Sequence, residues 1–207
     1  MLFLACLLAS AQAAGLSEFL VLQKTVEMSA CRGEFESVPV TVLALQDVTI
    51  EAAAECKGIE TDLRVVKAWW QAGYEVWDLT HERLVDELLL KDDALVRVNR
   101  DRNYLRGQDG KYTLCSGKDS RRLAGVLPQD AATLQPVRMR AGEQRTFWLT
   151  VRVPEQANAG PYAGTVAFSC AGGVKSLSVP LRVTVRDFDL LPPRLTYSLY
   201  YRAHLTN

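Results

Sequence analysis

The sequence predicts an all-β fold, an antiparallel β-sandwich that contains one short helix. Two observations carry this prediction: apolar and polar residues alternate along many short segments, and turn residues separate those segments at regular spacing. Hydrophobic residues make up 48% of the 207 residues, which is ordinary for a globular protein with a real core. We expect one sandwich built from both halves of the chain, because the first half alone would leave too much apolar surface exposed.

The C-terminal half contains the clearest strands. One lies in "VKSLSVPLRVTVRDF", whose predicted inward residues are Leu177, Val179, Leu181, Val183 and Val185. A second lies in "RTFWLTVRVP", whose predicted inward residues are Phe147, Leu149, Val151 and Val153. A third runs between them through Val166, Phe168 and Cys170, with turns at residues 158–161 and 172–173. This order predicts a three-stranded antiparallel meander, in which Pro180 marks a free edge or a bulge.

The N-terminal half is also rich in strands, which we expect within residues 19–30, 33–52, 63–71, 93–100 and 111–116. One segment has a different spacing. Leu84, Val85, Leu88 and Leu89 are spaced as on a helix, and Thr80 is a suitable N-cap. We therefore predict a short helix there, with a strand that begins at residues 88–90 as the alternative.

The chain begins with "MLFLACLLASAQAA", an apolar run that closes on a small-x-small pattern at Ala11 and Ala13. This pattern predicts a secretory signal over residues 1–13, cleavage near Ala13, and a secreted or periplasmic mature chain. The run is shorter than the roughly 20 apolar residues that span a bilayer, and no later stretch is long and apolar enough. Because a positively charged n-region is missing, a buried N-terminal strand is the alternative.

Charge and cysteine content limit the classes of partner. The formal net charge is zero, so the composition does not imply a nucleic-acid partner. Four cysteines lie beyond the signal, without the CxxC spacing of zinc sites, and an even number in an exported chain permits two disulfides. The disulfide candidates are Cys31, Cys56, Cys115 and Cys170; buried thiols are the alternative.

An aromatic group stands out in "AWWQAGYEVW". It contains Trp69, Trp70, Tyr74 and Trp77, with Gln71 as a hydrogen-bonding neighbour. Flat aromatic faces pack well on the apolar faces of sugar rings, so these residues are candidates for carbohydrate contact. The alternative is that the rings pack in the core or seal an interface with another domain.

The sequence offers no catalytic, metal or cofactor signature. It holds only His81 and His204, with no HExxH and no Gly-x-Ser-x-Gly motif, so we predict no catalytic residue, no metal and no cofactor. The acidic residues that could serve a hydrolase are Glu87, Asp92, Asp93 and Asp101. Asp92 and Asp93 are adjacent and follow Lys91, which favours a turn over a shared substrate site.

Several stretches together resemble a known family. They are "GEFESVPVTVLALQDVTIE", "ELLLKDDALVRVNRDRN", "AGEQRTFWLTVRVPEQANAGPYAGTVAFS" and "LTYSLYYRAHL". This set is similar to the region that precedes the catalytic barrel in uncharacterised secreted proteins resembling glycoside hydrolase family 123. The resemblance covers nearly the whole mature chain, but its motifs describe strands and turns and include no catalytic signature.

The resemblance implies a sandwich over residues 14–193 and the start of a truncated (β/α)8 barrel over residues 194–207. Residues 195–201 would then form the first barrel strand. Since barrel enzymes place their chemistry at the C-terminal ends of the strands, Tyr201, Arg202 and His204 would lie near the sugar. The alternative is that this segment simply packs against the sandwich.

We therefore expect a non-catalytic module that supports its own C-terminal barrel and contacts glycan, with any hydrolysis belonging to the full-length protein. A stand-alone secreted carbohydrate-binding module and a purely structural envelope or adhesion sandwich are the alternatives.

Overall fold

The computed structural model describes residues 18–72, 81–115, 123–171 and 176–190. Its strands are β1 Phe19–Val21, β2 Val26–Ala30, β3 Phe35–Ala44, β4 Val48–Cys56, β5 Glu60–Ala72, β6 Glu82–Leu90, β7 Val96–Asn99, β8 Arg102–Arg106, β9 Tyr112–Cys115, β10 Val137–Met139, β11 Gln144–Arg152, β12 Gly160–Cys170 and β13 Ser176–Val185. One turn of 3-10 helix at Asp93–Leu95 precedes β7. The predicted all-β class is confirmed.

Two five-stranded sheets form a sandwich. The first sheet has the order β1-β3-β11-β5-β6, and the second has the order β10-β4-β12-β13-β2. A small third sheet, β7-β8-β9, lies beside β5. Neighbouring strands are antiparallel except for β2 and β13, which are parallel. Each large sheet takes strands from both halves of the chain, as expected for one sandwich.

The core lies between the two large sheets. Phe147 on β11 and Phe168 on β12 are fully buried, and their rings meet edge to face with centroids 5.3 Å apart. The predicted alternation along β11 and β13 is confirmed, because the predicted inward residues are buried and only Leu177 is partly exposed. Apolar faces from both sheets thus exclude water from one common layer.

The predicted meander is wrong at its first connection. The hairpin of β12 and β13 is present, but β11 lies in the first sheet and β12 in the second. The chain therefore crosses from one sheet to the other between them. The prediction for Pro180 is confirmed: it pairs with Thr165 of β12, while the ladder to β2 begins only at Leu181. Its missing N–H consequently costs no ladder bond.

The predicted helix is also wrong. Residues 82–90 form strand β6, at the edge of the first sheet, with a bulge where Lys67 pairs with Leu88 and Ala68 with Asp86. The bulge inserts Glu87 as an extra residue, so Val85 and Leu88 both face the side of the sheet on which Lys67 and Trp69 lie. A spacing of three on one face imitates a helix. Thr80, the expected N-cap, lies outside the described residues.

In the part of the chain that the structure describes, no helix has the length and apolar character needed to cross a bilayer.

Candidate functional site

Trp69, Trp70 and Gln71 lie near the end of β5, the longest strand. Strand β11 pairs with β5 only as far as Val65. Beyond that residue, β6 flanks β5 on one side and the small sheet lies on the other. At the end of β5, side chains of β5 therefore lie between those of β6 and those of the small sheet.

On one face of β5, two of the predicted residues converge on Glu87. The indole Nε1–H of Trp69 donates a hydrogen bond of 2.7 Å to Oε2 of Glu87, and the Gln71 amide donates to the same oxygen. Trp69 is partly buried and packs against the core, whereas the Glu87 carboxylate is exposed. We call Trp69, Gln71 and Glu87 the Glu87 group: a ring edge, an amide and a carboxylate whose second oxygen accepts no hydrogen bond from the described residues.

Trp70 faces the opposite side of the strand, because successive residues alternate. Its backbone is held by the buried side chain of Asn103 on β8, which accepts from the Trp70 N–H at 2.8 Å and donates to the Trp70 carbonyl at 2.7 Å. The indole nitrogen of Trp70 is buried and has no hydrogen-bond partner among the described residues. Trp69 and Trp70 therefore do not form one continuous aromatic platform.

A polar cleft of about 320 Å³ opens beside these residues. It lies where β5 and β11 separate, between Val66 and Ala68 on one side and Gln144 and Thr146 on the other. Two largely buried cations, Lys67 and Arg145, lie on its lining. The cleft thus combines small apolar surfaces with charged groups.

The charges in this cleft already pair with one another. Lys67 Nζ lies 2.9 Å from Asp93 Oδ2, and Arg145 Nη1 lies 3.4 Å from Asp93 Oδ1. Arg145 Nε also lies 2.7 Å from Glu143 Oε1. Because buried charges are costly without partners, this network accounts for Lys67 and Asp93 as parts of the fold.

Asp92 also stabilises the fold, in agreement with the turn predicted at residues 91–93. It caps the 3-10 turn by accepting from the Ala94 N–H at 2.8 Å, and it lies 2.5 Å from Arg106 Nη2. That hydrogen bond with Asp92 raises the pKa of Arg106. Asp130 accepts from the backbone N–H groups of Lys91 and Asp92 at 2.7 and 2.9 Å, which fixes this turn from the other side.

Asp62 lies close to the same turn. Burial opposes ionisation, but the hydrogen bonds from Lys91 and Arg64 outweigh it and hold the pKa of Asp62 below its ordinary value. Arg64 Nε lies 2.6 Å from Asp62 Oδ2. By contrast, Asp101 is exposed, and its Oδ1 lies as far as 3.8 Å from Nε of its neighbour Arg102. An exposed ion pair of this kind contributes little to stability.

The four cysteines are thiols in the structure, and disulfide formation among them stays a prediction. Cys56 pairs with Gly164 along β12, and Cys170 pairs with Ile50 along β4, six residues away on each strand. At about 3.3 Å per residue this separation far exceeds the roughly 7 Å between Cα atoms that a disulfide can span. Burial raises the pKa of Cys31, Cys56 and Cys115.

Five predicted contact residues, Tyr74, Trp77, Tyr201, Arg202 and His204, lie outside the described residues, as do the predicted signal and the predicted first barrel strand. Among the described residues, sequence analysis overlooked Asn103, Arg145 and Lys67. Of these, only Lys67 could have been found from the sequence, because a charged residue stands out on the apolar face that Leu63, Val65 and Trp69 share. The described part of the chain contains no cluster of three or more residues suited to a metal ion.

Comparison with known proteins finds similarity of fold only. No protein-family model and no curated protein matches the chain. A family 123 glycoside hydrolase from Clostridium perfringens is 10% identical with a TM-score of 0.46, over 88% of this chain and 25% of that one. The chain thus spans about a quarter of that hydrolase chain.

Two further solved structures give lower scores. The PapD-like domain 7 of human CEP192 is 10% identical with a TM-score of 0.37, over 83% of this chain and 87% of that one. A chain of the CsuC–CsuE chaperone–adhesin complex of Acinetobacter baumannii is 10% identical with a TM-score of 0.34, over 82% of this chain and 58% of that one.

Proposed function

We propose that this chain is a non-catalytic β-sandwich module of a secreted glycoside-hydrolase-like protein. Residues 1–13 serve as its export signal, with cleavage near Ala13, and residues 14–193 form the sandwich. Residues 194–207 begin a downstream barrel that carries the chemistry. The resemblance of the quoted sequence stretches supports the choice of family, and the contacts of the acidic side chains support the non-catalytic role.

The observation that carries this proposal is the engagement of the clustered carboxylates. A glycoside hydrolase needs two carboxyl groups about 5–10 Å apart that face the sugar and exchange protons with it. Asp92, Asp93 and Asp130 instead accept hydrogen bonds from backbone N–H groups or lie in ion pairs with buried cations. Because these carboxylates hold the turn and the buried cations in place, they suit a supporting module better than a catalytic site.

An immunoblot of the organism that carries the gene tests this proposal. An antibody raised against residues 18–190 should detect an exported product much larger than the 23.0 kDa of this chain. The same product, captured by that antibody, should hydrolyse aryl glycosides, whereas the chain alone should not. A native product of about the size of this chain would overturn the supporting role.

Carbohydrate binding by the Glu87 group is a second candidate function. Its specific support is the exposed Glu87 carboxylate, which Trp69 and Gln71 orient through one oxygen while the other oxygen can accept from a sugar hydroxyl. Hydrogen bonds to a charged acceptor are stronger than neutral ones. A neutral, hydroxyl-rich ligand suits this arrangement.

Retention on insoluble glycans tests the second candidate. Glu87→Ala removes the shared acceptor without touching the core, and we expect at least a tenfold loss of retention, equivalent to about 1.4 kcal/mol. Glu51→Ala on β4 is the matched control, since it removes an exposed carboxylate from the other sheet. Equal retention by the two variants, with both folded by circular dichroism, would exclude the Glu87 group as a glycan site.

A further inference from the structure

The small sheet of β7, β8 and β9 has one face against the sandwich and one face turned away from it. On the face against the sandwich, Val96 and Asn103 are buried and Leu105 packs against the core. Because side chains alternate along a strand, Arg97 on β7 and Tyr104 on β8 lie on the other face, where the two residues are directly opposite each other. We call this the outer face of the small sheet. It carries the side chains of Arg97, Arg102, Tyr104, Arg106 and Tyr112.

A tyrosine ring holds Arg97 in place on the outer face. The hydroxyl of Tyr112 donates a hydrogen bond of 2.6 Å to the carbonyl of Ala94, so this side chain extends from β9 to the 3-10 turn before β7. The Arg97 guanidinium lies over the ring, with its Cζ 4.0 Å from the ring centroid. This cation–π contact fixes the position of the guanidinium but uses none of its N–H donors. The exposed side chain of Arg97 therefore presents a planar set of donors to the solvent.

Arg100 has a backbone conformation that arginine rarely adopts. Asn99 pairs with Arg102, so Arg100 and Asp101 form a two-residue turn between β7 and β8. The φ of Arg100 is 50°, and no other non-glycine residue of the described chain has a positive φ. A two-residue turn with a positive φ at its first central residue favours glycine there. Because strained conformations are concentrated at functional sites, an exposed arginine at this position needs a reason beyond the turn itself.

Arg97, Arg100 and Arg102 lie around this turn, and we call them the arginine cluster. All three are exposed. No carboxylate of the described residues lies within ion-pair distance of Arg97 or Arg100, and Asp101 lies 3.8 Å from Nε of Arg102. The side chains of that pair are 61% and 76% exposed, so water and salt weaken their attraction. The arginine cluster therefore carries a net positive charge at the surface.

We propose that the outer face of the small sheet binds an acidic polysaccharide, with the arginine cluster contacting its carboxylate or sulfate groups. The guanidinium fork donates two parallel hydrogen bonds to such oxyanions. Tyr104, which is partly exposed and lies directly opposite Arg97, offers a flat ring to the sugar between two charged groups. This site uses none of the residues of the Glu87 group, and it takes a charged rather than a neutral ligand.

The low density of charge favours a polysaccharide over a nucleic acid. Double-stranded DNA carries one charge about every 1.7 Å along its axis, and its binding proteins commonly neutralise about 6–10 phosphates. The arginine cluster supplies three cations with Asp101 among them, and the formal net charge of the whole chain is zero. An acidic polysaccharide carries its charges at intervals of whole sugar units, so a few arginines can match those that it presents.

Affinity electrophoresis of the full chain, in gels that contain a dissolved polymer, tests this proposal. Polygalacturonate supplies carboxylates, dextran sulfate supplies sulfates, and dextran is the neutral control. We expect retardation by at least one of the two acidic polymers, none by dextran, and a loss of retardation as the salt concentration rises. The acidic polymer that binds more tightly identifies the group that the arginine cluster recognises.

Two variants separate binding from folding. Arg100→Gly removes the side chain and suits the φ of 50°, so it should be at least as stable as the wild type. We expect Arg100→Gly and Arg97→Gln each to weaken binding about fivefold or more, because each removes charged donors. Arg138→Gln is the matched control, since it removes an exposed arginine from β10 of the second sheet, and it should bind like the wild type.

Three results would overturn the proposal. The first is a wild type that neither acidic polymer retards at low salt. The second is equal binding by Arg97→Gln, Arg100→Gly and Arg138→Gln, because charge elsewhere on the chain would then hold the polymer. The third is tighter binding to single-stranded DNA than to either polymer, which would identify a nucleic-acid ligand. None of these results bears on the supporting role proposed above, because neither the barrel nor the Glu87 group takes part.

Discussion

Asn103 shows how a single buried side chain can complete a sheet. Its amide replaces a strand partner for Trp70 where β11 no longer pairs with β5, and only 6% of the residue is exposed. We expect Asn103→Ala to lower the free energy of unfolding by about 2–4 kcal/mol, because two buried backbone groups lose their partner. Urea unfolding measures this loss. Gln108→Ala removes an exposed amide and should change the stability little.

The lowered pKa of Asp62 determines the sign of its contribution to the pH dependence of folding stability. Its pKa is lowered in the folded state, so its stabilising effect is present above the unfolded value of about 3.9 and is lost as the pH falls through the lower folded value. We expect Asp62→Asn to be less stable than the wild type at pH 7, with the difference shrinking by pH 3. Urea unfolding at both values tests this, and a difference that does not shrink would contradict it.

At the residue scale, alternation in the sequence predicts which apolar side chains are buried, but it does not predict which polar side chains are buried by pairing with a distant residue. Phe147 and Val183 follow a period of two that is visible in the sequence, and both are fully buried. Lys67 and Asn103 are buried because Asp93 and Trp70 meet them from distant parts of the chain. No local pattern contains that information, since each polar group depends on a tertiary contact.

At the scale of the element, the sequence "GPYAG" at the start of β12 now has a physical explanation. A Cβ at Gly164 would lie 2.3 Å from the carbonyl oxygen of Glu55 and 2.8 Å from Cβ of Cys56, so only glycine lets β12 approach β4 this closely. Tyr162 packs over Gly58 and donates its hydroxyl to the Asn158 carbonyl at 3.0 Å. This stretch, which carries much of the family resemblance, is therefore a structural motif.

Gly164→Ala should consequently destabilise the second sheet. We expect a loss of about 3 kcal/mol in the free energy of unfolding, because the methyl group meets backbone that cannot move without breaking the β4–β12 ladder. Ala163→Gly, one residue earlier and exposed, is the control and should cost about 1 kcal/mol or less. Equal losses for the two variants would show that β4 can move away from position 164.

The error over β6 belongs to the same scale. Periodicity assumes a regular element, and one inserted residue at Glu87 is enough to change a spacing of two into a spacing of three. The same bulge brings Glu87 to Trp69 and Gln71. The β-bulge therefore both disrupts the period-two pattern of β6 and places Glu87 beside Trp69 and Gln71. A local window of sequence does not reveal a bulge, so neither effect could be predicted from it.

At the scale of the whole molecule, the sequence predicts two facing apolar layers but not the assignment of strands to sheets. The connections from β3 to β4 and from β11 to β12 both cross between the sheets, as does the path from β1 to β2. A hairpin and a crossing have similar turn residues, because both are short polar connections. Which of them forms depends on how all the strands together cover the core.

Arg32, in the connection from β2 to β3, contacts both the connection from β11 to β12 and the segment after β13. It donates to the Ala157 carbonyl at 2.9 Å and forms ion pairs with Asp189 at 2.9 Å and Asp187 at 3.2 Å. The hydrogen bonds with Asp189 and Asp187 raise the pKa of Arg32. Both carboxylates are largely exposed, so salt screens these pairs and each contributes little to global stability.

Arg32→Ala should therefore loosen the segment after β13 without unfolding the sandwich. We expect amide hydrogen exchange at residues 187–190 to accelerate several-fold, while protection at Val183 and Phe168 in the core stays unchanged. Raising the salt concentration on the wild type should produce part of the same local effect. Faster exchange throughout β12 and β13 in the variant would instead mean that Arg32 helps to hold the two sheets together, in conflict with the exposure of its partners.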